Sequence, residues 1–198
     1  MSATYIGLVH YPIYNRNNEV VTTAIANFDI HDLARTSRTY NIKKYFIIHP
    51  LQSQISLAED VMAYWKTGVG STYNLDRREA FTIVETVSDI AAAVEFITQQ
   101  EKVRPMIVTT DARIYSNSIS YTDLRQKMEE NERPCLLLFG TGFGMPKELM
   151  SQFDYILEPI YGGGEYNHLP VRAAVAIILD RLLGEAWWHS GLISNDKD

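Results

Sequence analysis

The chain repeatedly sets a short, unbroken apolar run ahead of a longer segment of helical period, and this alternation limits its possible folds more than any other feature. The runs are Tyr5–His10, Lys44–His49, Phe81–Glu85, Met106–Thr110, Pro134–Phe139 and Tyr155–Glu158. Several are apolar at every position rather than at alternate ones, the pattern of strands covered on both faces. Segments of helical period follow at Ile30–Tyr40, Ser53–Lys66, Ser88–Gln100, Tyr121–Asn131, Pro146–Gln152 and Leu169–Leu183. Strand then helix, repeated, requires a parallel sheet with crossover helices. The expected fold class is therefore α/β, a parallel sheet with flanking helices.

A length of 198 residues suits one such domain. We assign residues 1–184 to it and 185–198 to a C-terminal extension that ends in a frayed tail. Ser120 with Asp123 resembles a capping pair, Pro146 suits the start of a short helix, and Gly184 suits the end of the last one. Two polar loops, Tyr11–Glu19 and Thr67–Arg78, are long enough to suggest a function.

The net charge of −6 argues against a grip on nucleic acid over the whole surface, though not against a local basic cleft. Cys135 is the single cysteine and lies inside an apolar run, so it reads as a core residue rather than a nucleophile. The five histidines show no ligand spacing, so no metal site is expected. Trp187-Trp188 reads as a packing or interface pair. Neither a signal-peptide pattern nor a membrane-length apolar run is visible, and the expected setting is the cytoplasm.

In a parallel sheet, ligands bind beyond the carboxyl ends of the strands. Four segments fall there: the one after the first strand, Thr109-Thr110-Asp111-Ala112, Gly140-Thr141-Gly142-Phe143-Gly144, and Ile160–His168 with its three glycines. A dinucleotide fingerprint needs G-x-G-x-x-G after the first strand, whereas this G-x-G-x-G follows the fifth. A nicotinamide dehydrogenase is thus a distant reading. Asp29 and Asp32 stand at the start of a helix near the same rim, with Arg35 and Arg38 further along it. Acids there suit the helix dipole, and Arg35 and Arg38 share one face.

Taken together, these rim segments resemble the three motifs of the SPOUT superfamily of RNA methyltransferases. The first motif, N-x-G-x-x-x-R, keeps Arg35 but has Asp29 and His31 in place of the asparagine and glycine. The second is matched by Phe139–Gly144, one residue shorter and lacking the usual glutamate. The third is matched by Glu158-Pro159-Ile160-Tyr161-Gly162 through Ala174, with Pro170 where a serine is usual. Over nearly the whole chain, "LVHYPIYN", "TYNLDRREA" and "LEPIYGGGEYNHL" are similar to the small subfamily found alone or fused to the bacterial tRNA guanine-N1 methyltransferase.

The resemblance implies a C-terminal deep trefoil knot, S-adenosylmethionine bound in the knot loops, a homodimer, and an RNA substrate, tRNA or rRNA. By position it implies a cofactor pocket of Gly140, Gly142, Glu158, Ile160, Asn167, His168 and Leu169, with Thr109 and Thr110 as its other wall. Arg35 would face the RNA. Asp29, Asp32, Glu165 and His168 are candidate bases, and Asp29 and His168 complete the catalytic set expected with Arg35. The rival expectation is a non-catalytic cofactor-binding module associated with a tRNA-modifying partner methyltransferase.

Overall fold

The computed structural model describes residues 1–164 and 166–185. Glu165, Trp187, Trp188 and all but the first residue of the 185–198 extension lie outside the described residues. A seven-stranded sheet is built from β1 (Thr4–Val9), β4 (Tyr45–Ile48), β5 (Val84–Val87), β6 (Met106–Thr110), β7 (Ser118–Ile119), β8 (Cys135–Gly140) and β9 (Tyr155–Leu157), in the order β5-β4-β1-β8-β6-β9-β7. Every pairing in it is parallel. A separate antiparallel pair, β2 (Ile13–Tyr14) and β3 (Val20–Val21), lies between β1 and the first helix.

The helices are α1 (Asn27–Thr39), α2 (Gln52–Lys66), α3 (Gly70–Tyr73), α4 (Leu75–Phe81), α5 (Ile90–Glu101), α6 (Tyr121–Glu130), α7 (Lys147–Met150) and α8 (Val171–Leu183). Strand side chains alternate between two cores, as the two-residue pleat demands. Ile6, Leu8, Tyr45, Ile47, Cys135, Leu137 and Phe139 join the core under α1, α2, α4, α6 and α8. Tyr5, Val9, Phe46, Ile48, Leu136 and Leu138 join the core under α5 and α7. The continuous apolar runs were thus correctly read as strands covered twice. Cys135 is fully buried, and burial pushes its thiol up to about 12, which makes it inert.

The expected caps have concrete form. Ser120 Oγ accepts from Asp123 N at 3.1 Å, and Gly184 N donates to Asp180 O at 2.8 Å. Two expectations need correcting. Phe81 ends α4, fully buried, and the strand expected from it starts at Val84. The stretch expected as a loop over 67–78 instead folds into α3 and most of α4. Asn74 starts α4, its side-chain oxygen accepting from Arg77 N at 2.9 Å.

Candidate active site

The glycine loop after β8 is held on three sides by backbone. Thr141 N donates to Val9 O, Phe143 N donates to Tyr14 O at 3.1 Å, and Tyr14 N donates to Gly144 O at 2.9 Å. The β2–β3 pair therefore clamps the loop. Gly142 and Gly144 adopt φ of +55° and +91°, a region that side chains disfavour. A Cβ on Gly142 would lie 2.9 Å from Ile13 Cγ2 and 3.3 Å from Tyr14 O, so glycine is required there on two counts.

Two contacts close the neighbouring loops onto this one. Asp111, just past β6, approaches Gly144: a Cβ there would sit 3.3 Å from Asp111 Oδ2. Asn167 Nδ2 donates to Ala112 O at 3.1 Å, which ties the segment after β9 to the segment after β6. Segments following β6, β8 and β9 thus meet at one rim. Arg113 grips Asp111 with Nε at 2.9 Å and Nη2 at 3.0 Å.

The expected pocket residues separate by role. Thr109 is fully buried and its hydroxyl has no partner among the described residues, while Thr110 Oγ1 donates to Leu138 O at 3.2 Å. Gly140 is packed against Gly144 and Met145, and Ile160 packs against the core. The Glu158 carboxylate accepts from Tyr121 N at 3.0 Å and so also caps α6. Tyr166 and His168 are exposed and meet edge to face, and Leu169 is exposed beside them. Of the three consecutive glycines only Gly163 has a positive φ, +84°, and none is crowded by atoms of the described residues. The close chain wrapping expected of them is not a contact with the protein itself.

The charged residues of α1 form a second group. Asp29 and Asp32 both face Arg172 of α8, at 3.5 and 3.4 Å. Burial raises the Asp29 carboxyl above its usual range, Arg172 opposes the rise, and Asp32 adds to it. Arg35 is exposed and faces a recess that it shares with Arg38, Asp76 and Glu79. Arg38 is paired with Glu79, whereas no ion pair or hydrogen bond holds the Arg35 guanidinium among the described residues. His31 is edge-on to both Trp65 and Phe81; burial and then Arg77 lower its pKa.

Sequence reading passed over a polar group beside the glycine loop, made of the buried His10 and His49 and the partly buried Thr23 and Thr141. Its visible signal was a histidine closing each of two apolar strand runs. Burial lowers His10 to about 4, and the neighbouring His49 adds to the effect. The unfolded chain takes up its proton first, near the ordinary value of 6.5. Stability is therefore complete above that pH and falls as the pH drops toward 4, by up to about 3 kcal/mol for His10. Urea unfolding at pH 7.5 and 4.5 should show this loss, and His10→Gln should reduce it.

Among the described residues no group of three or more His, Cys, Asp or Glu could hold a metal ion, and no helix is long and apolar enough to cross a membrane.

In a parallel α/β sheet, glycine-rich loops joined to one another at the carboxyl end form the rim where such folds bind ligands. The family described as SAM-dependent RNA methyltransferase matches residues 3–184, and the chain belongs to that family. An uncharacterized protein of Aquifex aeolicus is 42% identical over 90% of this chain and 87% of its own length. The tRNA (guanine-N(1)-)-methyltransferase of Nitratidesulfovibrio vulgaris is 40% identical over 92% of this chain. The chain spans only 42% of that relative's length.

Among solved structures, the SpoU methyltransferase AviRb of Streptomyces viridochromogenes, in complex with AdoMet, aligns over 93% of this chain and 58% of its own with a TM-score of 0.57 at 12% identity. The Aquifex aeolicus TrmH/SpoU tRNA modifying enzyme aligns over 93% of this chain and 75% of its own with a TM-score of 0.53 at 14% identity. These likenesses support the fold. The cofactor is S-adenosylmethionine, as the family description states. The rim suits it: main-chain groups are brought close by Gly142 and Gly144, and the Thr109 hydroxyl is unpartnered at the end of β6.

Proposed function

We propose that the protein methylates tRNA or rRNA in the cytoplasm, acting as a homodimer, with the cofactor held by the joined loops after β6, β8 and β9. The observation that carries this reading is that joining: Asn167 on Ala112, and Asp111 against Gly144. Thr109, Thr110, Gly140, Gly142, Glu158, Ile160, Asn167, His168 and Leu169 form the pocket, much of it through main chain. The knot implied by the third motif belongs to the same proposal.

When bound, the sulfonium supplies a methyl carbon open to in-line attack. The residues need only orient the acceptor, exclude water and receive its proton, since positioning supplies most of the advantage. Arg35 holds the RNA near the acceptor, and Asp29 or His168 receives the proton. The raised carboxyl of Asp29 suits that task better than an ordinary exposed acid. Exposed Phe28, Tyr161, Tyr166 and Leu169 lie on the N-terminal turn of α1 and the segment leading into α8, and they supply an apolar surface for the second copy.

Calorimetric titration with S-adenosylhomocysteine tests the pocket, with saturable binding expected. No heat at millimolar ligand would contradict it. The rival reading, a cofactor-binding module serving a partner tRNA methyltransferase, is favoured by one observation: Asp29 and Asp32 are both engaged by Arg172.

A further inference from the structure

The polar group beside the glycine loop has a hydrogen-bond direction that can be assigned atom by atom. His10 and His49 follow β1 and β4, both fully buried, with ring centres 5.4 Å apart. Leu51 N donates to His49 Nδ1 at 3.1 Å, so the His49 proton is on Nε2, which donates to Thr23 O at 3.0 Å. Thr141 Oγ1 lies 3.0 Å from Val9 O, and a hydroxyl facing a carbonyl must donate. Thr141 Oγ1 therefore accepts from Thr23 Oγ1 at 2.6 Å. His10 O is also within reach of the Thr23 hydroxyl, but at 3.5 Å and already accepting from Thr23 N at 3.0 Å, so the 2.6 Å contact takes the hydrogen and Thr23 Oγ1 accepts from His10 Nδ1 at 3.0 Å. The chain of donors runs from His10 through Thr23 and Thr141 to Val9. His10 Nε2 is left as a buried lone pair without a partner among the described residues.

This arrangement explains why Thr23, just past the β2–β3 pair, is fixed from both sides. His49 holds its carbonyl and His10 its hydroxyl, while the same hydroxyl reaches the second residue of the glycine loop. His10 and His49 are fully buried and the Thr23 and Thr141 hydroxyls partly so, and a connected polar chain anchored on a buried imidazole favours one geometry, because a break at His10 leaves its Nδ1–H unsatisfied away from water.

We propose that His10 is a positioning residue for methyl transfer: through the Thr23 and Thr141 hydroxyls, its Nδ1–H fixes residues 140–144 in the shape the cofactor site uses. This rests on the reading of that loop as a cofactor wall. His10 touches neither cofactor nor RNA. Its contribution is the conformation of the loop before either arrives.

The test uses His10→Leu, Thr141→Val and Thr23→Val, which remove one link each, and His10→Asn, whose side-chain amide nitrogen replaces Nδ1. Amide hydrogen exchange is read at Thr141, Phe143 and Gly144, and S-adenosylhomocysteine affinity is read by calorimetry. Each single-link variant should speed exchange at these three amides by about tenfold, leave β6 and β8 amides unchanged, and weaken binding by about tenfold. His10→Asn should stay within about threefold of the parent. The double variant His10→Leu/Thr141→Val should lose no more than either single one, since both break one chain.

Parent-like exchange in folded His10→Leu and Thr141→Val, or additive losses in the double variant, would overturn the proposal. If His10→Leu fails to fold, the isosteric threonine variants decide the matter alone. Failure of the parent protein to bind ligand would refute the pocket reading instead, and the exchange measurement would still decide the positioning role.

Discussion

Replacing Arg35 with alanine should lower methyl transfer to RNA by about 10²–10³-fold while leaving S-adenosylhomocysteine affinity within about twofold. The physical reason is the difference between Arg35 and the other arginines around it. Arg38 is paired with Glu79, Arg172 with Asp29 and Asp32, and Arg113 with Asp111. The Arg35 guanidinium has no such partner among the described residues, and it faces the recess it shares with Arg38, Asp76 and Glu79. An arginine so placed breaks no ion pair when redirected toward a phosphate or an acceptor base, and its planar fork suits either. Arginine and alanine are both good helix formers, and the site is exposed. The fold should therefore change by no more than about 0.5 kcal/mol. Loss of both binding and transfer would instead point to damage at the rim.

Gly142→Ala should weaken cofactor binding by at least about tenfold and destabilise the protein by about 1–3 kcal/mol. Its φ of +55° is unfavourable for alanine, and the new methyl would press on Ile13 Cγ2 and the Tyr14 carbonyl. The loop must then move away from the β2–β3 clamp, and the main-chain groups facing the cofactor move with it. Gly162→Ala serves as the stability control, because that position has neither a positive φ nor a neighbour within 4 Å. Calorimetry and urea unfolding on the two variants give the comparison. Equal stability in both would mean that the loop is held less firmly than its geometry indicates.

The parallel sheet was legible because fully covered strands leave a simple mark: apolar at every position, with breaks between. Cys135–Phe139 and Tyr45–Ile48 carry it cleanly. The third and fourth helices were not legible, because seven residues of mixed charge, Leu75–Phe81, have too little length to show a helical period. The polar stretch before Arg77-Arg78 also reads as loop until Asn74 is recognised as a cap. The strand error at Phe81 has the same root, since a buried aromatic ends a helix there instead of starting a strand.

For the site, the glycine loop and the arginine of the first motif could be found from residue type and order. The clamp by Ile13 and Tyr14 could not, because a two-residue strand pair gives no periodicity. Nor could the polar chain from His10 to Thr141, which joins positions 131 residues apart and depends on three hydroxyl and imidazole orientations. The engagement of Asp29 and Asp32 by Arg172 is equally a product of tertiary packing between α1 and α8.

The central claim is that this chain itself transfers a methyl group to RNA. The most direct measurement is incubation of the purified protein with tritium-labelled S-adenosylmethionine and unmodified tRNA or rRNA, followed by counting of label retained in the RNA. The account predicts incorporation that grows with time and protein concentration, and that falls by about 10²–10³-fold in Arg35→Ala although that variant still binds cofactor. Saturable cofactor binding with no label in any RNA, from parent and variant alike, would contradict it and leave the passive module as the correct description.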